Sequence, residues 1–177
     1  GANAWGVILG DSWYTGYVGG FGRGRYGDYP LAFLGQLHIE YEVGTSQIIA
    51  TDSQWRASTG PIITSDLLMG EIYDSRLEMP GWDKAGFADD HWQTVTVVEK
   101  EVPKLVAAQA PAVQITEEVR PIALNEPLPG TFVFDLGQNM VGKYRLRVQG
   151  PRGTRVFLRF AEMLNDDGTI YTENLRS

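Results

Sequence analysis

Asp66, Glu71 and Asp74 fall within nine positions of one another, in the stretch Ser65-Asp-Leu-Leu-Met-Gly-Glu-Ile-Tyr-Asp-Ser-Arg76, and the turn Pro80-Gly-Trp-Asp83 follows. Carboxylates are the ligands that hard cations and sugar hydroxyls prefer, and exposed aromatic rings supply flat faces for sugar rings. Tyr73 lies among the acids and Trp13 lies upstream. This chemistry is that of a carbohydrate site, with calcium as the candidate metal. The same residues have a second reading as surface strand and turn positions, their charges paired with Arg56, Arg76 or Lys84. Both readings stay open at the level of residue types.

Other chemistries find less support. The chain has no cysteine, so disulfides, thiolate metal sites and cysteine nucleophiles are all excluded. His38 and His91 are its two histidines, and neither sits in a zinc or triad motif. Gly22-Arg-Gly-Arg25 has the glycines of a phosphate loop but lacks the Gly-Lys-Ser/Thr ending. Asn165-Asp-Asp-Gly-Thr169 resembles part of a calcium loop and reads as a turn, because the rest of an EF-hand is missing. A net charge of −7 with scattered arginines argues against nucleic acid as a partner. Nothing in composition points to a membrane surface, the apolar runs are too short for a span, and no leader pattern is visible. The compartment stays open.

The elements that must hold these residues read as strands. Hydrophobic content of 43% with 21% charged residues is that of a folded globule, and 21 glycines and nine prolines favour strands and turns over helices. Residues 5–9 are a short apolar run expected to be a buried strand, and a loop rich in glycine and aromatics follows over residues 11–29. Residues 33–42 alternate apolar and polar side chains, Gly44 marks a turn, and residues 46–52 return as the second strand of a hairpin. Residues 99–130 hold five of the nine prolines and no periodicity, as an extended crossing segment would. Alternation resumes over residues 132–136 and 144–148, and Gly150-Pro-Arg-Gly153 is expected to close a hairpin onto residues 156–160. The fold class expected is all-β, with two antiparallel, jelly-roll-like β-sandwich domains, both incomplete. The first occupies residues 1–98 and the second starts at residue 131.

Several motifs in order carry a family resemblance. Leu9-Gly-Asp-Ser-Trp-Tyr-Thr-Gly, Tyr26-Gly-Asp, Thr51-Asp-Ser-Gln-Trp-Arg-Ala, Gly70-Glu-Ile-Tyr-Asp-Ser-Arg and Pro80-Gly-Trp-Asp resemble the N-terminal β-sandwich domain of bacterial α-L-rhamnosidases of glycoside hydrolase family 78. Phe134-Asp-Leu-Gly-Gln-Asn-Met-Val-Gly, Arg159-Phe-Ala-Glu-Met-Leu and Asp167-Gly-Thr-Ile-Tyr-Thr-Glu-Asn-Leu-Arg resemble the next β-sandwich of those enzymes. Lys143 departs from the family, which often has Trp there. The resemblance implies an inverting hydrolase of terminal L-rhamnose whose catalytic carboxylates lie on a downstream helical barrel. It therefore implies that this chain is an accessory region, inactive alone, that begins within the first domain and has the barrel and a rhamnose-containing glycan as partners. Some of these enzymes carry a calcium-dependent L-rhamnose-binding module in this position. That would place the sugar on Asp66, Glu71 and Asp74, with Tyr73 or Trp13 stacking, and calcium on Asp66 and Asp74.

Overall fold

Backbone alternation and glycine turns produce hairpins throughout this chain. The computed structural model describes residues 2–18, 21–27, 30–99 and 104–175. Asp28 of the Tyr26-Gly-Asp motif, residues 100–103 of the expected crossing segment and Arg176 of the last motif lie outside them. The chain divides into two units, Gly1–Leu105 and Val106–Leu175.

Among its described residues the first unit holds one α-helical turn, α1 (Ser12–Thr15), a 3₁₀ turn (Ser75–Leu77) and eight strands: β1 (Tyr17–Val18), β2 (Phe21–Arg23), β3 (Gln36–Glu40), β4 (Ser46–Ala50), β5 (Arg56–Ala57), β6 (Ile62–Asp66), β7 (Gly70–Tyr73) and β8 (Gln93–Thr94). They pair antiparallel as β1–β2, β3–β4, β5–β8 and β6–β7. The expected hairpin over residues 33–52 is β3–β4, with Leu37 opposite Ile49 and His38 opposite Ile48. Its turn depends on Gly44, whose φ of 83° lets the Tyr41 carbonyl accept from the Gly44 N–H while the Tyr41 N–H donates to Thr45 O. Trp5, Phe33 and Trp55 gather beside this hairpin with ring centroids 5.0–6.1 Å apart. Trp5 meets both other rings edge-to-face, and the three make a small, partly exposed aromatic cluster. Phe87 packs against Trp92 at 5.7 Å.

The second unit holds β9 (Ala123–Leu128) and β10 (Thr131–Asp135), again antiparallel. β9 lies inside the stretch read as a crossing segment. Pro127 hid it, because proline cannot donate to a ladder; it is tolerated here because β9 has a single neighbour and thus an open edge. The expected strands at residues 144–148 and 156–160 do not form. The turn between them closes, with Thr154 N–H donating to Pro151 O, and Tyr144 packs on Phe160 at 5.3 Å. No backbone ladder joins the two segments, and a strand needs one. Residues 5–9 likewise find no partner and form no strand.

The architecture is all-β and antiparallel, and its sheets are two-stranded pieces among the described residues. Burial follows from that. Val18 and Val133 are the only buried apolar side chains among the described residues. The accessible surface is 15977 Å², against about 10,000 Å² for two separate compact units of these sizes. No helix among the described residues is long and apolar enough to cross a membrane.

Candidate functional site

Among the described residues the best-buried polar side chain is at α1, not in the acidic stretch. Thr15 is 1% exposed. Its Oγ1 donates toward Asp11 Oδ1 at 3.2 Å, and its N–H donates to Asp11 O at 3.1 Å, closing the single turn. Ser12 takes a φ of 43°, in the left-handed region that a residue with a side chain adopts only when its surroundings impose it. Arg23, at the end of β2, reaches back to this turn. Its guanidinium forms an ion pair with Asp11, and its Nε donates to Thr15 O at 3.2 Å.

Asp66 ties this turn to the β6–β7 hairpin. Its Oδ2 accepts from the Tyr17 N–H at 2.7 Å, and its Oδ1 accepts from the Leu68 and Met69 N–H groups at 2.8 Å each. Burial would raise this carboxyl, but the three N–H donors, with Arg23 nearby, hold it below the usual carboxylate range. A cleft of about 260 Å³ opens at the junction, lined by Asp11, Tyr17, Arg23, Ser65 and Asp66. It offers a carboxylate–guanidinium pair, hydroxyls and a phenol ring, a set able to bind a polyhydroxylated ligand.

The other expected site residues lie elsewhere. Glu71 is exposed on β7 opposite Ser65. Tyr73 donates its hydroxyl to Glu78 Oε1 at 2.8 Å, which raises the phenol above its usual range. Asp74 caps the short 3₁₀ turn Ser75–Leu77, accepting from the Arg76 N–H at 3.1 Å and pairing with the Arg76 guanidinium. Trp13 is half exposed on α1 and does not line the cleft. Of the five, only Asp66 belongs to the cleft.

Asp66 and Asp74 do not fit a shared calcium ion. Asp66 sits at the turn end of the hairpin, whereas the Asp74 N–H bonds to Pro61 O at the other end. Strand rise separates those ends by roughly 16 Å, and calcium–oxygen bonds are about 2.5 Å long. Among the described residues no group of three or more His, Asp or Glu side chains could hold a metal. For Asp74 the ion-pair alternative describes its surroundings, with Arg76 as the partner; Arg56 faces Asp89 instead.

Asp11 and Arg23 were not among the expected site residues, although Asp11 lies in the Leu9–Gly16 motif and Arg23 in the Gly22–Arg25 segment. A further signal was the position of Asp11 just before Ser-Trp-Tyr-Thr, a helix-start pattern obscured by the surrounding glycines and aromatics.

Comparison with known proteins gives the family. Residues 1–117 match the family described as the α-L-rhamnosidase N-terminal domain, and residues 125–177 match the bacterial α-L-rhamnosidase concanavalin-like domain. An α-L-rhamnosidase of Streptomyces avermitilis is 51% identical over the whole chain, and one of Alteromonas sp. is 34% identical over 99% of it. The crystal structure of the Streptomyces avermitilis enzyme complexed with L-rhamnose superposes on 94% of the chain with a TM-score of 0.86. The native Aspergillus terreus enzyme does so over 90% with a TM-score of 0.69, at 34% identity. The chain spans only 17% and 19% of the two curated relatives, and 16% and 18% of the two solved chains.

Proposed function

The chain belongs to the α-L-rhamnosidase N-terminal domain family, and we propose that it is the noncatalytic accessory region of a longer α-L-rhamnosidase. One observation carries this reading: the likeness runs through the whole chain, yet covers less than a fifth of each relative. The parent enzyme would remove terminal α-L-rhamnose with inversion, using one carboxyl as general acid and another as base for water. No pair of carboxylates in the cleft is free for those roles, since Asp11 is held by Arg23 and Asp66 by three N–H donors. The purified chain is therefore expected to release no nitrophenol from an aryl α-L-rhamnoside. Turnover abolished by substitution of a cleft carboxylate would overturn the reading.

Within that role, the Asp11–Arg23 cleft supports L-rhamnose binding, the sugar found with the Streptomyces avermitilis enzyme. The supporting observation is that charged, hydroxyl and phenolic groups converge there. Calorimetric titration with L-rhamnose, with calcium and then with chelator, tests it. Saturable heat supports a binding module. No heat in either condition, from a folded chain, leaves a brace for the catalytic barrel. Binding by a chain encoded without any barrel would make it a free-standing module.

A further inference from the structure

We propose that Asp66 is a positioning residue, a strut that fixes the α1–β1 turn against the β6–β7 hairpin and so shapes the cleft, rather than a ligand to sugar or metal. In its sugar-binding aspect the proposal rests on the function proposed above.

Three observations carry it. The first is hydrogen-bond capacity. Both oxygens of Asp66 already accept backbone N–H groups, two from its own hairpin turn and one from Tyr17, 49 residues away in sequence. The Tyr17 N–H fills one of the two acceptor positions on Oδ2, and the Gly16 backbone crowds the same oxygen. The second is spatial. A Cβ at Gly16 would run into Asp66 Oδ2 and into the Ser12 carbonyl. The backbone thus approaches the carboxylate as closely as a residue without a side chain allows. The third is connectivity. Tyr17, held by Asp66, begins β1, and β1 pairs with β2, which carries Arg23 opposite Tyr17. Through that register the strut sets Arg23 and its ion-pair partner Asp11. Asp66 thereby acts on the groups facing the cleft through the backbone that bears them.

The test compares the wild-type chain with Asp66→Asn and Gly16→Ala, reading amide hydrogen exchange at Tyr17, the 13C shift of the Asp66 carboxyl, and L-rhamnose affinity. The asparagine sets an NH₂ or a misplaced oxygen against one donor, and the alanine forces the clasp open while keeping every charge. Both are expected to speed Tyr17 exchange about ten- to hundredfold. Both should weaken sugar binding by roughly tenfold. Saturating L-rhamnose should leave the Asp66 carboxyl shift in place. Unchanged Tyr17 exchange in both variants would overturn the strut. So would an affinity loss confined to Asp66→Asn with a sugar-dependent carboxyl shift, which would make Asp66 a ligand. If no chain binds sugar but Tyr17 exchange responds as expected, the strut stands and the sugar-binding reading fails alone.

Discussion

At the scale of single residues, the acids that drew attention in the sequence divide by what their oxygens accept. Asp74 serves a local turn and its neighbour Arg76, whereas Asp66 joins two segments that are distant in sequence. A charged acceptor of three N–H groups contributes to folding only while it is ionised. The folded Asp66 pKa lies below its usual 3.8, so its contribution is complete above that value and disappears as the pH falls through the lowered one. The melting temperature should therefore hold from neutrality to about pH 5 and fall below about pH 4. Asp66→Asn should melt lower at neutrality, by about 1.5 kcal/mol in stability, and show a shallower acid decline; an acid decline identical to wild type would remove Asp66 from this account. The residue types in the acidic stretch were legible in the sequence, but their division of labour was not. Whether a carboxylate meets a neighbour two positions on or an N–H 49 positions back is set by tertiary contact.

At the scale of elements, every strand among the described residues belongs to a two-stranded sheet, so each has an unpaired edge. Hairpin stability then rests heavily on the turns, because no third strand shares the load. Gly44→Ala, at a φ of 83°, should cost about 1 kcal/mol and speed exchange of the β3–β4 ladder amides selectively. Equal effects on β6–β7 would show that the hairpins are energetically joined. Alternation made β3, β4 and β10 readable, because period two is a local property. The turn α1 was not readable, since four residues are too few to show a helical period. Residues 5–9 misled for the opposite reason: an apolar run looks like a buried strand whether or not a ladder partner reaches it.

At the scale of the whole molecule, 15977 Å² of accessible surface means that many apolar side chains stay in water, among them Leu37, Ile48, Phe132 and Phe134. The surface newly exposed on unfolding is correspondingly small. The chain should bind a hydrophobic dye while folded, and its urea m-value should be about two-thirds of that of a compact chain of equal length. A full m-value without dye binding would show that these faces are covered in solution. The all-β class could be read from composition and alternation, whereas the sparse burial could not, because sequence pattern marks which face is apolar and not what lies against it. The clasp between Tyr17 and Asp66 also bears on the order of events during folding. A hairpin closes over a few residues within about 10 microseconds. The clasp must wait until the chain has been made and arranged as far as Asp66, 49 positions beyond Tyr17. A nascent chain thus acquires its hairpins first and its cleft later. Synthesis halted short of Asp66 would leave Asp11, Tyr17 and Arg23 on a turn that lacks its tie to the β6–β7 hairpin.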